Sequence, residues 1–283
     1  LTVEGKLSAG DYELAGNVSS QFISGLLFAL PLLEGGSTLH LIPPVESRSY
    51  IDMTRAVQKA FGVSSRWLDG TTLEIPGGQS YHPCDYTVEG DYSQAAFPAV
   101  LGAVCGGVTI AGLPEQTLQG DAVILEILRR CGARFARTAE GVVFEPAPLH
   151  GVEIDLADCP DLGPVLMVLG LLCEGTTVIR NAERLRIKES DRIEAMETEL
   201  RACGGLLESE GGTITIHGCR ERLHAPAGPL SGHNDHRVVM SLSVLALAAG
   251  LELPIAGAEA VEKSWPDFLE AIRPLGAEVQ YVG

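Results

Sequence analysis

The densest group of side chains suited to binding an anion lies between residues 180 and 192. Five of the chain's 20 Lys and Arg residues fall there, namely Arg180, Arg184, Arg186, Lys188 and Arg192. A charged run of this kind usually forms a solvated helix start with ion pairs four residues apart. Here, however, the run surrounds a predicted helix cap at Ser190 or Asp191, and His236–Arg237 opens another predicted helix. Cations at helix N-termini oppose the helix dipole, so the pattern favours an anion held between them.

Hydroxyl-bearing residues precede two further predicted helices. Ser19, Ser20 and Gln21 lie at the first of these helix starts, and Ser47 and Tyr50 lie at the second. Hydroxyls beside free backbone amides form a phosphate cradle, although such residues more commonly act only as helix caps. Both interpretations stay open from the residues alone.

Two single residues are equally ambiguous. Asp161 follows Pro160 and is interpreted either as a helix cap or as a general base that reaches a substrate hydroxyl. Lys263 by itself is only a lysine expected to be exposed.

The elements that must position these residues follow one plan four times. In each repeat a polar segment opens an apolar helix, glycine ends the helix, and a short strand follows. Second helices are predicted to open near Asp52, Asp121, Asp191 and Asp267. They end at Gly62, Gly132, Gly204 and Gly276, which are separated by 70, 72 and 72 residues, and each is followed by another short strand. This spacing predicts an α/β unit of about 72 residues used four times.

The two kinds of helix differ in polarity. Residues 163–173 and 238–249 are apolar nearly all round, which predicts burial on every side. Residues 192–200 are amphipathic, which predicts one solvent-facing side. Each repeat is therefore predicted to place one helix in a core and one outside it.

Composition limits the partners and the compartment. The 283 residues predict two domains, and the net charge of −17 disfavours nucleic acid and anionic membrane surfaces. The longest apolar run, 238–251, is too short to span a bilayer. The seven cysteines form no CxxC pair, and most lie either in apolar runs, as Cys105 and Cys173 do, or just before a glycine, as Cys131 and Cys203 do. They are interpreted as small buried residues in a reducing compartment.

The chain resembles the 5-enolpyruvylshikimate-3-phosphate synthase (EPSP synthase) family, whose motifs occur in family order along it. The Lys-Glu-Ser-Asp-Arg and Asn-Asp-His-Arg blocks are the most specific of them. The matching segments are 16–22, 47–52, 89–93, 160–161, 186–192, 234–237 and 263–268.

The resemblance implies an α/β fold built from βαβαββ units in two inverse α/β barrel-like domains. The family has six units, and four are seen here. Residues 1–85 would then be the last repeat unit of the N-terminal domain, and residues 86–283 the C-terminal enolpyruvyl transferase domain of three units. The family's N-terminal third has no counterpart, so the chain is expected to be a fragment that is a poor catalyst until that segment is added.

The family transfers the enolpyruvyl group of phosphoenolpyruvate to the 5-hydroxyl of shikimate 3-phosphate and releases phosphate, without a metal or cofactor. By motif, Ser19, Ser20 and Ser47 resemble binders of the shikimate phosphate, with Tyr50 nearby. Gln21 would lie between the two substrates. The resemblance therefore implies a cytoplasmic transferase of aromatic amino acid biosynthesis, the target of glyphosate.

The remaining roles carried over by motif concern proton transfer and the second substrate. Asp161 and Lys188 would hold the shikimate hydroxyls, and Asp161 resembles the base. Glu189 resembles the acid; beside Lys188 a carboxylic acid normally has a lowered pKa, so proton donation requires burial of Glu189. The residues that resemble the clamp on phosphoenolpyruvate are Arg192, His236, Arg237 and Lys263, of which Lys263 also counts as catalytic.

Two rival functions and one departure from the family pattern accompany this prediction. A UDP-N-acetylglucosamine enolpyruvyl transferase shares the fold but lacks the Lys-Glu-Ser-Asp-Arg block. A non-catalytic fragment that only binds anions is the other rival. The family often has Asn where this chain has Arg184, which leaves the role of Arg184 open.

Overall fold

A computed structural model of the chain describes residues 2–281. Its α-helices are α1 (Ser20–Ala29), α2 (Arg48–Ala60), α3 (Tyr92–Cys105), α4 (Ile124–Arg130), α5 (Gly163–Leu172), α6 (Arg192–Ala202), α7 (His236–Ala249) and α8 (Phe268–Ala271). Its strands are β1 (Asp11–Ala15), β2 (Ser37–Ile42), β3 (Arg66–Trp67), β4 (Thr72–Ile75), β5 (Thr109–Ile110), β6 (Arg134–Thr138), β7 (Gly141–Glu145), β8 (Glu153–Asp155), β9 (Thr176–Arg180), β10 (Leu206–Glu210), β11 (Thr213–His217), β12 (Leu230–Ser231) and β13 (Ile255–Ala256).

The fourfold repeat is visible in the order of these elements. The first repeat runs β1-α1-β2-α2-β3-β4, and the third runs β8-α5-β9-α6-β10-β11, so both are complete βαβαββ units. Within residues 2–281, the second repeat lacks the first strand, and the fourth lacks the last two. The predicted α/β fold class is confirmed.

Each second helix closes with a glycine in a left-handed conformation, as the glycine spacing predicts. The four glycines have φ values of 85°, 95°, 85° and 100°, which favour glycine because it has no Cβ. In three repeats the chain then returns to the helix end, where the backbone N–H of a histidine donates to the carbonyl before the glycine. These bonds run from His82 to Phe61, from His150 to Cys131 and from His224 to Cys203.

The chain divides into two compact units. The first runs up to Val88 and includes Gln116–Gly120; the second comprises Glu89–Glu115 and the residues from Asp121 onward. In the first unit, apolar side chains of α1, α2, β2 and β4 share one core. The sheet of this unit has the order β1-β2-β4-β3.

The second unit is built around three central helices. Helices α3, α5 and α7 contact one another, α5 is buried along its entire length, and α3 and α7 are buried along most of theirs. Helix α6 buries only one face, so the predicted division into core and outer helices holds in this unit. The surrounding sheets have the orders β5-β7-β6, β10-β11-β9-β8 and β12-β13.

Helix α1 departs from the prediction that first helices are buried all round. Ile23 and Leu27 face the core, but Phe22 is 61% exposed and Phe28 is 48% exposed. The physical reason is that α1 and α2 are the only α-helices of the first unit within residues 2–281. Helix α1 therefore packs beside one helix, whereas α5 packs against both α3 and α7. The outer apolar side of α1 thus stays uncovered within this unit.

Several predicted boundaries were wrong. Helix α2 begins at Arg48 rather than near Asp52. No strand follows Gly276 within the described residues, because residues 277–281 have no antiparallel partner of the kind that β3, β6 and β10 have.

The prediction that the cysteines are buried is wrong for Cys105, which is exposed at the end of α3, whereas Cys173 is buried as predicted. None of the helices in residues 2–281 is both long and apolar enough to cross a membrane.

Parallel strand pairs determine where the candidate residues lie. In such a pair the carboxyl ends of both strands meet at one edge of the sheet, and the following helices begin there. Pairs β1–β2, β8–β9 and β12–β13 are all parallel and in register to their last residues. Each pair therefore directs two helix starts, and the polar residues at those starts, to the same edge.

Candidate functional site

The helix starts of the second unit bring five candidate residues into one network of ion pairs. Asp161 lies in a short 3₁₀ turn before α5, Lys188 and Glu189 lie in the segment that leads to α6, and Arg192 is the first residue of α6. Arg237 lies in the first turn of α7. These residues span more than seventy positions in sequence, yet every one of them contacts another member of the network.

Arg192 is the centre of the network. Its side chain is 1% exposed, and its guanidinium nitrogens donate to three carboxylates. The distances are 2.9 Å to Asp161 Oδ1 and 2.8 Å to Asp235 Oδ2, and a further bond goes to Glu189. A buried guanidinium is tolerated only where its donors are satisfied in this way.

Asp235 is the fully buried partner of Arg192, with no exposed area. Its carboxylate also accepts from the Ser190 hydroxyl at 3.0 Å and from the Arg237 backbone N–H at 2.9 Å. Burial opposes its ionisation, but the hydrogen bond and charge of Arg192 hold the pKa of Asp235 below its usual range. Asp235 thus ties the start of α6 to the start of α7.

Asp161 does not cap a helix, which removes one of its two interpretations. Helix α5 has no side-chain cap, and the Asp161 carboxylate faces cations instead. It lies 2.9 Å from Arg192, 3.4 Å from Lys188 Nζ and 3.3 Å from Arg237. Burial opposes ionisation, yet the charges of Arg237, Lys188 and Arg192 hold the pKa of Asp161 well below its usual range.

Arg237 is oriented from two sides. Its guanidinium donates to the Asp161 backbone carbonyl at 3.3 Å and to Ser93 Oγ at 3.1 Å. Ser93 lies in the first turn of α3, whose N-cap is Asp91. The neighbouring Gln94 donates to the Ser264 carbonyl at 3.0 Å, which brings the start of α3 to the segment that carries Lys263.

Lys263 is not among the ion pairs found within residues 2–281. Its Nζ donates instead to the backbone carbonyl and to Oδ1 of Asn234, both at 2.6 Å. Asn234 immediately precedes Asp235, so Lys263 reaches the same loop as the network.

Glu189 is not buried, although its predicted role as the acid requires burial. Its side chain is 44% exposed and is paired with Arg192. The burial needed to favour the protonated form next to cations is therefore not present in this arrangement.

Arg184, whose role the sequence leaves open, is buried. Its Nη1 donates to the Ala157 carbonyl at 3.4 Å. It therefore packs against the loop that leads to Asp161.

His236 is buried between charged neighbours at the start of α7. Its Nδ1 has no hydrogen-bond partner among the described residues and lies 3.9 Å from Asp235 Oδ1. Burial and the charge of Arg237 lower the pKa of His236 below its ordinary value of 6.5.

This shift predicts a loss of stability in mild acid. Below about pH 6.5 an unfolded chain protonates His236 while the folded chain does not, so the free energy of unfolding falls as pH falls. We expect a smaller fall in Tm between pH 7.5 and 5.5 for His236→Gln than for the wild type, measured by circular dichroism. Equal falls in the two proteins would show that His236 is not the responsible group.

The first unit places the serine residues at one edge of its sheet. Ser19 caps α1 by accepting from the Gln21 backbone N–H at 3.2 Å, and Ser20 begins that helix. Ser47 precedes α2 in a left-handed conformation with φ of 52°, and its side chain forms no helix cap. Tyr50 lies in the first turn of α2. The capping interpretation thus holds for Ser19 and not for Ser47.

The two helix starts of the first unit are neighbours. Glu46 N–H donates to the Gly16 carbonyl at 3.1 Å, and Ser24 Oγ lies 2.7 Å from Thr54 Oγ1 of α2. Ser19, Ser20 and Ser47 therefore follow adjacent loops at the carboxyl ends of β1 and β2.

The structure gives roles to several residues of the motifs for which the sequence predicts none or leaves two alternatives. Asp191, not Ser190, caps α6, and Ser190 contacts Asp235. Ser93 and Asp235 hold the arginines. A signal was available for Asp235 alone, because a carboxylate between two basic motifs is a natural partner for them. Within residues 2–281, no cluster of three or more His, Cys, Asp or Glu side chains could hold a metal ion.

Comparisons with known proteins identify the family to which the chain is similar. A family model for EPSP synthase (3-phosphoshikimate 1-carboxyvinyltransferase) matches residues 1–272. The chain is 43% identical over 282 residues to the 3-phosphoshikimate 1-carboxyvinyltransferase of Clostridium kluyveri, covering 99% of this chain and 65% of that protein. It is 41% identical over 283 residues to the protein of that name from Methanothrix thermoacetophila, again covering 65% of it. The chain thus spans less than two thirds of the length of these curated relatives.

Solved structures show the same relationship. An EPSP synthase from Acinetobacter baumannii matches with a TM-score of 0.77 and 26% identity, over 95% of this chain and 63% of that one. The enolpyruvyl transferase NikO from Streptomyces tendae, at 21% identity and a TM-score of 0.71, shares the fold. Because the family model covers nearly all of its residues, this chain belongs to the EPSP synthase family.

Proposed function

We propose that this chain binds shikimate 3-phosphate and phosphoenolpyruvate and takes part in transferring the enolpyruvyl group to the shikimate 5-hydroxyl with release of phosphate. The observation that carries the proposal is the network in which Asp161 lies among Lys188, Arg192 and Arg237. Its chemistry suits two anionic substrates, and the named activity of the relatives is the same reaction.

In this proposal the cations of the second unit bind phosphoenolpyruvate. Arg192 and Arg237 lie in the first turns of α6 and α7, where backbone amides add to the positive potential. Lys263, the last residue of a 3₁₀ helix, reaches the loop before α7 through its bonds to Asn234. Cations placed around the phosphate favour its departure as an anion. His236 lies in the same turn as Arg237 and completes this side of the site.

Substrate binding would also prepare Asp161 as a base. While Arg237 and Lys188 face Asp161, its carboxylate is a weak proton acceptor because its pKa is low. A substrate phosphate or carboxylate that draws these cations toward itself weakens their hold on Asp161. Its pKa then rises toward the range that suits abstraction of the 5-hydroxyl proton.

The remaining roles follow the family motif. Ser19, Ser20 and Ser47 bind the shikimate phosphate through hydroxyls and helix-start amides, with Tyr50 beside them. Gln21 lies between the substrates, and Lys188 contacts the shikimate hydroxyls. Glu189 donates the proton to the methylene carbon; because it is half-exposed here, the bound substrate itself would have to shield it from water.

The domain organisation and compartment are part of the same proposal. Residues 1–85 are the last repeat unit of one domain, and residues 86–283 form the C-terminal enolpyruvyl transferase domain. A cytoplasmic location suits two phosphorylated metabolites and seven free cysteines.

A direct assay tests the proposed function. The chain is titrated with each substrate by calorimetry, and phosphate release is followed with both substrates together and with each alone. Because the chain spans about 65% of the relative's length, release is assayed with the unmatched segment of the Clostridium kluyveri relative supplied as a separate polypeptide. We expect saturable binding of both substrates and release that requires both. Failure to bind either substrate would contradict the proposal, and binding of both without release would favour the non-catalytic anion-binding rival. UDP-N-acetylglucosamine serves as the control ligand for the other rival.

Glu189→Gln tests the proposed acid. The variant keeps the side-chain shape but cannot donate a carboxylic proton, so phosphate release should fall by roughly 10²–10⁴-fold. Affinity for shikimate 3-phosphate should stay within about twofold of the wild type, because Glu189 is assigned no contact with that ligand. Loss of shikimate 3-phosphate binding would assign Glu189 to binding instead.

A further inference from the structure

The loop between β12 and α7 has an unusual backbone. Two consecutive residues in it, His233 and Asn234, have φ values of 48° and 53°. Neither is glycine, so both occupy a region that side chains with a Cβ rarely adopt. Such conformations persist only where the surroundings hold them in place.

The group that holds this loop is a buried carboxylate on a different helix. Glu199 lies on the inner face of α6 and is 6% exposed. One of its oxygens accepts from the Ser231 backbone N–H at 3.1 Å, and the other lies 2.7 Å from His233 Nε2. The loop is thus bound to α6 on both sides of Gly232.

The residues that follow this anchor are those that orient the cations. Asn234 presents its backbone carbonyl and its Oδ1 to Lys263 Nζ, at 2.6 Å each. Asp235, the next residue, accepts from Arg192 at 2.8 Å. A change in the backbone at 233–234 would therefore displace the partners of both cations.

We propose that Glu199 and His233 are positioning residues for the phosphoenolpyruvate site. Their contact fixes the strained 231–235 loop to α6, and the loop in turn positions Lys263 through Asn234 and Arg192 through Asp235. Neither residue contacts the substrate in this proposal, which rests on the proposed function above.

A purely electrostatic role and a positioning role of Glu199 predict opposite changes in anion affinity when Glu199 is replaced. Removing the negative charge of Glu199 near a group of cations should, by Coulomb interaction alone, tighten the binding of an anion. Losing the two hydrogen bonds should instead release the loop and weaken binding. Glu199→Ala and Glu199→Gln remove the same charge, but the Gln amide keeps an acceptor for the Ser231 N–H and a donor for the acceptor tautomer of the His233 ring.

The experiment measures phosphoenolpyruvate affinity by calorimetry in saturating shikimate 3-phosphate, and shikimate 3-phosphate affinity separately. We expect Glu199→Ala to weaken phosphoenolpyruvate binding by about tenfold, the lower end of what outer-shell substitutions at metal sites cost. Shikimate 3-phosphate binding should be unchanged. Glu199→Gln should restore most of the affinity. Glu194→Gln, on the exposed face of the same helix, is the matched control and should bind like the wild type.

His233→Ala keeps the test decisive if Glu199→Ala does not fold. His233 is partly exposed, so its truncation leaves no large cavity, and the same selective weakening is expected. Phosphoenolpyruvate binding at or above wild-type strength in the folded variants, or equal weakening for both substrates, would overturn this proposal alone. A wild-type chain that binds no phosphoenolpyruvate would overturn the proposed function and this inference with it.

Discussion

Replacement of Arg192 by methionine is expected to lower the free energy of unfolding of the second unit by about 3–5 kcal/mol. The substitution removes the guanidinium that is bonded to Asp161, Glu189 and Asp235. Asp235, which has no exposed area, then carries an uncompensated charge in the core. The loss should shrink as pH falls, because protonation of Asp235 removes that charge.

Thermal and denaturant unfolding measure this effect, with an expected fall in Tm of roughly 6–20 °C for a unit of this size. Arg129→Met is the matched control: its ion pair with Glu126 is exposed, so its removal should cost less than about 1 kcal/mol. In the double variant Arg192→Met/Asp235→Leu, part of the loss should be recovered because neither charge is left alone. An Arg192→Met protein as stable as the wild type would show that the network is not formed in solution.

Asp161→Asn is expected to separate catalysis from anion binding. Without the proposed base, the rate of phosphate release should fall by roughly 10²–10⁴-fold. Affinity for inorganic phosphate should rise by about fivefold, which corresponds to roughly 1 kcal/mol, because Lys188, Arg192 and Arg237 lose a carboxylate that competes with the ligand.

Calorimetry with phosphate and the release assay measure the two quantities on the same preparation. Asp158→Asn changes the charge of an exposed residue in the same loop and should alter neither by more than about twofold. If Asp161→Asn weakened phosphate binding, Asp161 would have to orient the cations rather than compete with the anion. Unchanged release would remove Asp161 as the base.

The repeated architecture was predictable because helix ends obey local rules. Glycines with positive φ at 62, 132, 204 and 276 were identified by spacing alone, since only the helix end and its glycine need to recur. The inward placement of α5 and α7 followed from their apolar composition. The same rule was wrong for α1, because composition records how apolar a helix is and not whether other helices lie around it.

The gathering of charges was predictable, but their partners were not. Two basic segments at helix starts indicated an anion site, and the family motif identified which residues to compare. The carboxylates that hold them in this structure depend on tertiary placement: Asp235 is fully buried at the start of α7, which packs against α5 and α6. Glu199 gave no signal, since a glutamate on a polar helix is ordinarily solvated and its burial against the 231–233 loop is set by packing.

The most direct test of the central claim is a crystal structure of the chain grown with shikimate 3-phosphate and phosphoenolpyruvate. If the second-unit cations form the proposed site, the phosphate and carboxylate of phosphoenolpyruvate will lie within hydrogen-bond distance of Arg192, Arg237 and Lys263, with Asp161 facing the shikimate 5-hydroxyl. Phosphoenolpyruvate bound away from these side chains, with the ion pairs of Asp161 unchanged, would contradict the account.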